Sequence, residues 1–445
     1  MKRLSLFLAF AFVMASCDVL DTEPKTSLDA ATVLTDGTAA NAILLGAYSN
    51  LQNDNYYGVE FVLNNDLIAD NAIMQGFYDS QLEIDDRNVP YTNLWVSSFW
   101  PAAYRVVNTA NLLITEVPGI QDDAFDTRDR VLGEAFALRA LVYFDLLRVY
   151  GYHFDKSSPY GLPLLTEPIP DNDYNQIPDL ARSSVSEVYD QILSDLNAAI
   201  DRLDGFTVKG RMNYWAAHAL RARVNLYAGN YAAAALDATL VIEGGAASLV
   251  ANLDDLYNTT GTSAETLFDV EFNDQDQSAF NTFTVRRDEY NADPDLIASF
   301  EAGDARADYL GVIRNRDRTL KYLDGTNANN AKVLRLGEVY LIRSEALAMN
   351  ANDPAAGLAD LNVIRERAGL APLAGFASMD AYVDALLQER RAELNFEGHR
   401  FFDLVRMDRI DSVLGMDDFR KVFPIPRDEL LISTNLQQNP NYDTP

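Results

Sequence analysis

The chain has 445 residues, 48% of them hydrophobic, a single cysteine, and 36 basic against 66 acidic residues for a formal net charge of −30. That length and apolar content support a large hydrophobic core, and one cysteine excludes both an intramolecular disulfide and a thiolate-held metal site. The acidic balance repels nucleic-acid backbones and anionic lipid surfaces, so no nucleic acid is expected as a partner.

The first element is a short positive segment, Lys2 and Arg3, followed by an uncharged apolar run from Leu4 to Ala15. At roughly 12 residues the run is too short to span a bilayer as a helix. It leads through Val13, Met14, Ala15 and Ser16 into Cys17. Small residues at 15 and 16 let a peptidase approach the backbone, and a cysteine directly after them is where a bacterial lipoprotein is cleaved and acylated. The pattern resembles a lipobox, with Met14 bulkier than the residue usually preferred there. Residues 1–16 are therefore expected to be a signal peptide, Cys17 the lipid attachment site, and 17–26 a lipidated tether. The tether carries Asp18, Asp21, Glu23 and Pro24 and has no apolar periodicity. Acidic residues directly behind the cysteine also resemble the surface-export signal of Bacteroidota lipoproteins. No later segment reaches the ~18 apolar residues of a membrane span, so residues 27–445 read as one lipid-anchored domain facing the exterior of the outer membrane.

Within that domain the apolar spacing is helical over Asn41–Leu51, Pro101–Thr115, Arg128–Tyr150 and Ser183–Leu203. Gly151 stops the third helix, and the proline-rich stretch Tyr160–Asp173 cannot be helix throughout. Residues 214–242 and 336–364 align at an offset of 122 without a gap. Leu220 matches Ile342, Arg221 matches Arg343, Leu236 matches Leu358, and Val241 matches Val363. Each copy reads as helix, short turn, helix, the tetratricopeptide kind of pair with ~34 residues per unit. Helices 128–150 and 183–203 could form a further pair. Residues 52–100 and 244–330 are irregular, with a short strand expected near Leu267–Phe272. Long irregular segments in a large domain are usually functional, so the expected class is mainly α, a helix-pair scaffold with two loop-rich insertions and few short strands.

Seven segments together resemble the SusD/RagB family of Bacteroidota nutrient-uptake lipoproteins. They are Glu134–Phe144 (EAFALRALVYF), Gly161–Leu164 (GLPL), Arg335–Ala346 (RLGEVYLIRSEA), Ile364–Gly369 (IRERAG), Glu389–Leu404 (ERRAELNFEGHRFFDL), Phe423–Pro426 (FPIP) and Asn439–Tyr442 (NPNY). The resemblance implies a protein on the outer leaflet that lids a SusC-like TonB-dependent transporter and delivers oligosaccharides, or in some members peptides, to it. It implies no cofactor and no covalent chemistry. A surface glycoside hydrolase is the enzymatic alternative, disfavoured by the scarcity of strands, and a purely protein-binding helical scaffold is a third reading.

Sugar recognition needs flat rings to stack on pyranose C–H faces and polar groups to read hydroxyls. In the first irregular block Trp95 is the candidate platform, with Asn64, Asp66, Asp70, Tyr78, Arg87 and Asn93 around it; Trp100, beside Pro101, reads as core. The second block offers Phe283, Arg286, Tyr290, Tyr309 and Tyr322, together with Phe280, Arg287 and Arg314. Tyrosines and arginines suit an anionic glycan or a peptide as well as a neutral sugar. Trp215 lies on a periodic helix and reads as core. Glu389, Glu393 and Glu397 share a helical spacing and read as a scaffold ion network with Arg390, Arg391 and Arg400. The three histidines have no metal-ligand spacing.

Overall fold

The computed structural model describes residues 34–169, 178–257 and 261–445. Cys17, the signal peptide, the tether and the 170–173 end of the proline-rich stretch lie outside them.

The chain opens with α1 (Gly37–Leu51), a π turn at Asp54–Gly58, α2 (Glu60–Leu67), β1 (Ala72–Met74), α3 (Asp79–Asp85) and α4 (Leu94–Glu116). The start of α4 differs from the Pro101 start expected from sequence. Asn93 takes the Val96 N–H on its side-chain oxygen at 3.1 Å, and Trp95, Val96, Phe99 and Trp100 already face the core from the first two turns. Pro101 lies on the exposed side, where water can satisfy the carbonyl its ring leaves unpaired. Then come α5 (Arg128–Tyr150) and α6 (Val185–Arg202), the latter started by a capping box of Ser184 and Glu187.

The first copy of the repeat is α7 (Tyr214–Tyr227) with α8 (Tyr231–Glu243). After α9 (Asp254–Tyr257), the loop-rich half carries β2 (Thr266–Val270), a second π turn (Thr282–Arg286), β3 (Tyr290–Ala292), α10 (Pro294–Ala298), β4 (Leu310–Ile313), β5 (Arg316–Thr319) and β6 (Ala331–Arg335). The second copy is α11 (Leu336–Ala351) with α12 (Pro354–Arg367), followed by α13 (Met379–Leu394), α14 (Arg400–Arg406), α15 (Ile410–Leu414) and α16 (Arg427–Ile432). Neighbouring helices pack side by side as pairs: α4 with α5, α5 with α6, α7 with α8, α8 with α11, and α11 with α12. Among the described residues the strands form only three two-stranded antiparallel ribbons, β1–β3, β2–β6 and β4–β5. The mainly α helix-pair class expected from sequence is therefore the observed one.

The repeat corrects the ungapped alignment. The first helices agree at 122, but the buried positions of the second helices, Ala234, Asp237, Ala238 and Val241 against Gly357, Asp360, Leu361 and Ile364, differ by 123. Helix α11 is two residues longer than α7 and its turn one residue shorter. The true register recovers a shared clamp. Arg221 donates Nε and Nη2 to Asp237 at 2.8 Å each, and Arg343 does the same to Asp360 at 2.7 Å. At Gly357 a side chain would strike Ser344 O at 2.3 Å and Tyr382 Oη at 2.4 Å, so glycine is required where α12 approaches α11 and α13.

Between the helix pairs and the loop-rich half lies a buried ion network centred on Arg335. Its guanidinium donates Nε to Glu397 at 2.7 Å, Nη1 to Glu265 at 2.9 Å and Glu393 at 2.5 Å, and Nη2 to Glu393 O at 2.9 Å and Glu397 at 3.1 Å. Arg306, Arg365, Arg367 and Lys321 complete the charge balance. Burial alone would raise Glu393, but the guanidiniums of Arg367, Arg335 and Arg306 outweigh it and hold the carboxyl well below its ordinary range. The network expected around Glu389, Glu393 and Glu397 is present, with different cations. Arg390 pairs with Asp403, while Arg391 and Arg400 pair with Asp70. The cations that face the glutamates, Arg306, Arg335, Arg365, Arg367 and Lys321, come instead from other segments. Glu397 itself lies beyond the end of α13, after Phe396 at φ 57°.

Lysine at 335 offers donors from a single point and cannot span three carboxylates. Arg335→Lys is expected to lower unfolding stability by ~3–5 kcal/mol in urea titration, the usual cost of breaking a buried pair, with little dependence on salt because buried pairs are weakly screened.

Candidate functional site

Stacking on a sugar requires a ring face open to water, and that requirement sorts the sequence candidates. Trp95 fails it. Its side chain is 1% exposed, its Nε1 donates to Asn55 O at 3.0 Å, and its ring is stacked on Phe99 and edge-on to Phe423. The platform expected there is replaced by a core tryptophan, because α4 starts early enough to point it inward. Trp100 is also buried.

Most of the polar candidates are scaffold. Asn93 caps α4 and donates to Ser80 O and Glu83. Asn64 is buried and accepts from Tyr290 Oη at 2.7 Å, which takes both residues out of reach of solvent. Asp66 is buried and accepts from Asn71 and from Gly398 N. Asp70 receives a two-pronged contact from Arg400, at 2.7 and 2.9 Å. Arg87 donates to Ile68 O and Ala69 O. Tyr309 is buried against Tyr257 with its hydroxyl on Asp254. Tyr322 is stacked on Phe280 with its hydroxyl on Phe396 O. Several of these contacts join segments far apart in sequence, such as Asn64 with Tyr290 and Asp70 with Arg400, which periodicity cannot reveal.

Three candidates converge at the surface: Tyr78, Phe283 and Arg286. The β1–β3 ribbon brings the two loop-rich segments together, with Met74 opposite Tyr290. The pairing runs on through Gln75 N to Glu289 O at 2.8 Å. Gly76 lets the chain pass closely, since a side chain there would sit 3.1 Å from Glu289 Cγ. The next two residues emerge into water, Phe77 at 95% exposure and Tyr78 at 48%. The guanidinium of Arg287 lies 5.1 Å from the Tyr78 ring centre and 5.0 Å from that of half-buried Phe283, and donates to Tyr78 Oη. Phe283 is braced edge-on by Tyr290.

Beside these rings stands the β4–β5 hairpin. Its turn residues Arg314 and Asn315 have φ of 53° and 62°, the left-handed pair of a two-residue turn. Arg286 donates to Gly325 O, and Arg314 to Arg286 O. Buried Arg318 fastens the hairpin from beneath, donating to Thr284 O at 2.6 Å and Ile313 O at 3.0 Å and pairing with Asp288. The site is thus a shallow surface on which the open Phe77 ring and the half-exposed Tyr78 ring stand with guanidinium groups, suited to stacking and hydrogen bonding.

Two concavities lie elsewhere. One, of about 240 Å³, is lined by Asn50, Asn53, Arg105, Asp276 and Gln277 with buried Phe272; the other, of about 720 Å³, lies along α13, α14 and α15. Neither offers an exposed ring. Sequence reasoning missed Phe77; the signal for it was an aromatic pair directly after a glycine, outside any periodic run.

A SusD-like family described as starch-binding and associating with the outer membrane matches residues 18–226, and the SusD family matches residues 311–421. A SusD-like protein of Formosa agariphila is 25% identical over 521 aligned positions, covering 99% of this chain and 100% of that protein. A SusD superfamily protein from Bacteroides thetaiotaomicron superposes with TM-score 0.79 at 26% identity, covering 91% of this chain and 100% of its own. One from Bacteroides vulgatus gives 0.81 at 26%, covering 92% and 99%. A laminarin-binding SusD-like protein shares the fold, with TM-score 0.77 at 24% identity over 91% of this chain and 99% of that one.

Glu60, at the head of α2, is pushed up to about 7 by burial, with Asp54 and Glu289 adding to the rise and the Gln81 amide opposing it. A carboxyl raised this way keeps its proton in the fold where the unfolded chain has released it. The stability it lends is present below the ordinary value of 4.5 and is lost as pH rises toward 7. Glu60→Gln, which retains the acceptor for Gln81, is expected to stabilise the protein by ~2 kcal/mol at pH ~8 and to be near neutral at pH ~4, read by urea titration at each pH.

Proposed function

The chain belongs to the SusD/RagB family, and we propose that it is a surface lipoprotein that captures oligosaccharides on the Phe77, Tyr78 and Phe283 platform and delivers them to a SusC-like TonB-dependent transporter. The observation that carries this reading is the pair of solvent-facing rings, held beside guanidinium groups where two distant segments meet. The family description, starch-binding and outer-membrane-associated, and the laminarin-binding protein of the same fold support a glycan as ligand. Lipid attachment at Cys17 supplies the anchoring this role needs. Among the described residues no helix is long and apolar enough to cross a membrane.

Capture rather than hydrolysis also fits the engagement of two acids at the platform, Glu289 and Asp288. Hydrolysis needs two carboxyl groups free to flank the bond. Glu289 is engaged by Arg287 at 2.8 Å, and Asp288 by Arg318 at 2.6 Å.

Titration calorimetry against an oligosaccharide panel tests the reading. Saturable binding without product release is the expected result, and release of shorter sugars would replace capture with catalysis. Phe77→Ala combined with Tyr78→Ala is expected to weaken binding about tenfold or more, with unchanged stability. Trp95→Ala should instead cost ~3–5 kcal/mol of stability, as a truncated core tryptophan does. Cys17→Ser should move the protein from the membrane fraction to the soluble one.

A further inference from the structure

We propose that the platform selects anionic oligosaccharides, bearing uronate carboxylates or sulfate esters, over neutral ones; this rests on the capture reading above. The chain carries a formal charge of −30, yet Arg287 lies over the Tyr78 and Phe283 rings, Arg286 precedes it in the chain, Arg314 donates to Arg286 O, and Arg316 follows on the same hairpin. All four side chains reach solvent. Arg287 is balanced by Glu289, and Arg316 stands 3.8 Å from Asp288, which Arg318 already holds. Arg286 and Arg314 form no ion pair among the described residues. They donate instead to backbone carbonyls, Gly325 O and Arg286 O. The array is therefore held by backbone contacts and by the Arg318 fastening, which leaves positive charge for a ligand.

Guanidinium groups meet carboxylate and sulfate oxygens in charge-assisted, often two-pronged hydrogen bonds. On a surface that is otherwise acidic, a local positive field draws an anion to this one place. The neighbouring Phe77 and Tyr78 faces suit the C–H side of a pyranose, which an acidic peptide lacks, and so favour a glycan. A neutral sugar would use the rings and gain little from Arg286 and Arg314.

The test is calorimetry on the full-length chain in a neutral detergent. Probes are oligogalacturonate, its methyl ester, a sulfated galactan oligomer, its desulfated form, a malto-oligosaccharide and an oligoglutamate. At least one acidic sugar is expected to bind about tenfold or more tightly than its neutral counterpart, and the carboxylate and sulfate arms separate the two sources of charge. That affinity should fall about tenfold in Arg286→Gln combined with Arg314→Gln, and fall again between ~0.05 and ~0.5 M salt. Both positions are exposed, and an unchanged circular dichroism melt confirms that the variant folds. Equal affinity for acidic and neutral sugars, or an acidic sugar bound equally by the variant, would overturn the selectivity and leave capture standing. Binding of oligoglutamate alone, or of none of the probes, would overturn both.

Discussion

One guanidinium organises the molecule. Arg335 is at once the last residue of β6 and the residue that precedes α11, and its five hydrogen bonds reach Glu265 beside β2, Glu393 on α13 and Glu397 beyond it. Removing so many charges from water is expensive, and the attraction between them offsets that cost only if the geometry is complete. The network is therefore best understood as a device that permits one arrangement of the helix pairs against the ribbons.

That arrangement reaches the surface through continuous chain. Lys321, which pairs with Glu397 at 2.8 Å and donates to Glu393 O and Asn395 O, follows β5 by two residues. Strand β5 carries Arg318, which fastens the hairpin to the π turn bearing Phe283 and Arg286. The rings on the other side are set by β1, whose pairing with β3 stops just before Gly76. Tyr78 and Phe283, held by Arg287, lose little freedom on binding, which matters because ordering costs subtract directly from affinity.

The repeat shows how identity and geometry can part. Matching letters favour an ungapped alignment, because Leu236 and Leu358, and Val241 and Val363, coincide. Burial favours a register one residue later, because the Arg–Asp clamp and the packing of α8 and α12 depend on which side chains face inward. Both readings give helix pairs, so the fold class survives the error while the individual contacts do not.

The sequence by itself determined the long helices, the pairing of like units and the family resemblance, while the block at 52–100 that reads as irregular holds the short helices α2 and α3 and the first turns of α4. Those properties are written in local spacing and in short runs of residues, which need no knowledge of what lies across the core. It also named Tyr78, Phe283 and Arg286 among the candidates, though it could not rank them above Trp95, Tyr290 or Tyr322. Only the tertiary structure decided that ranking. An aromatic side chain has the same composition whether it fills a core or faces water, and its exposure is set by partners dozens or hundreds of residues away: Asn55 for Trp95, Asn64 for Tyr290, Phe396 for Tyr322. For the same reason Phe77 became visible only when the β1–β3 ribbon closed and left its ring with nothing to cover it.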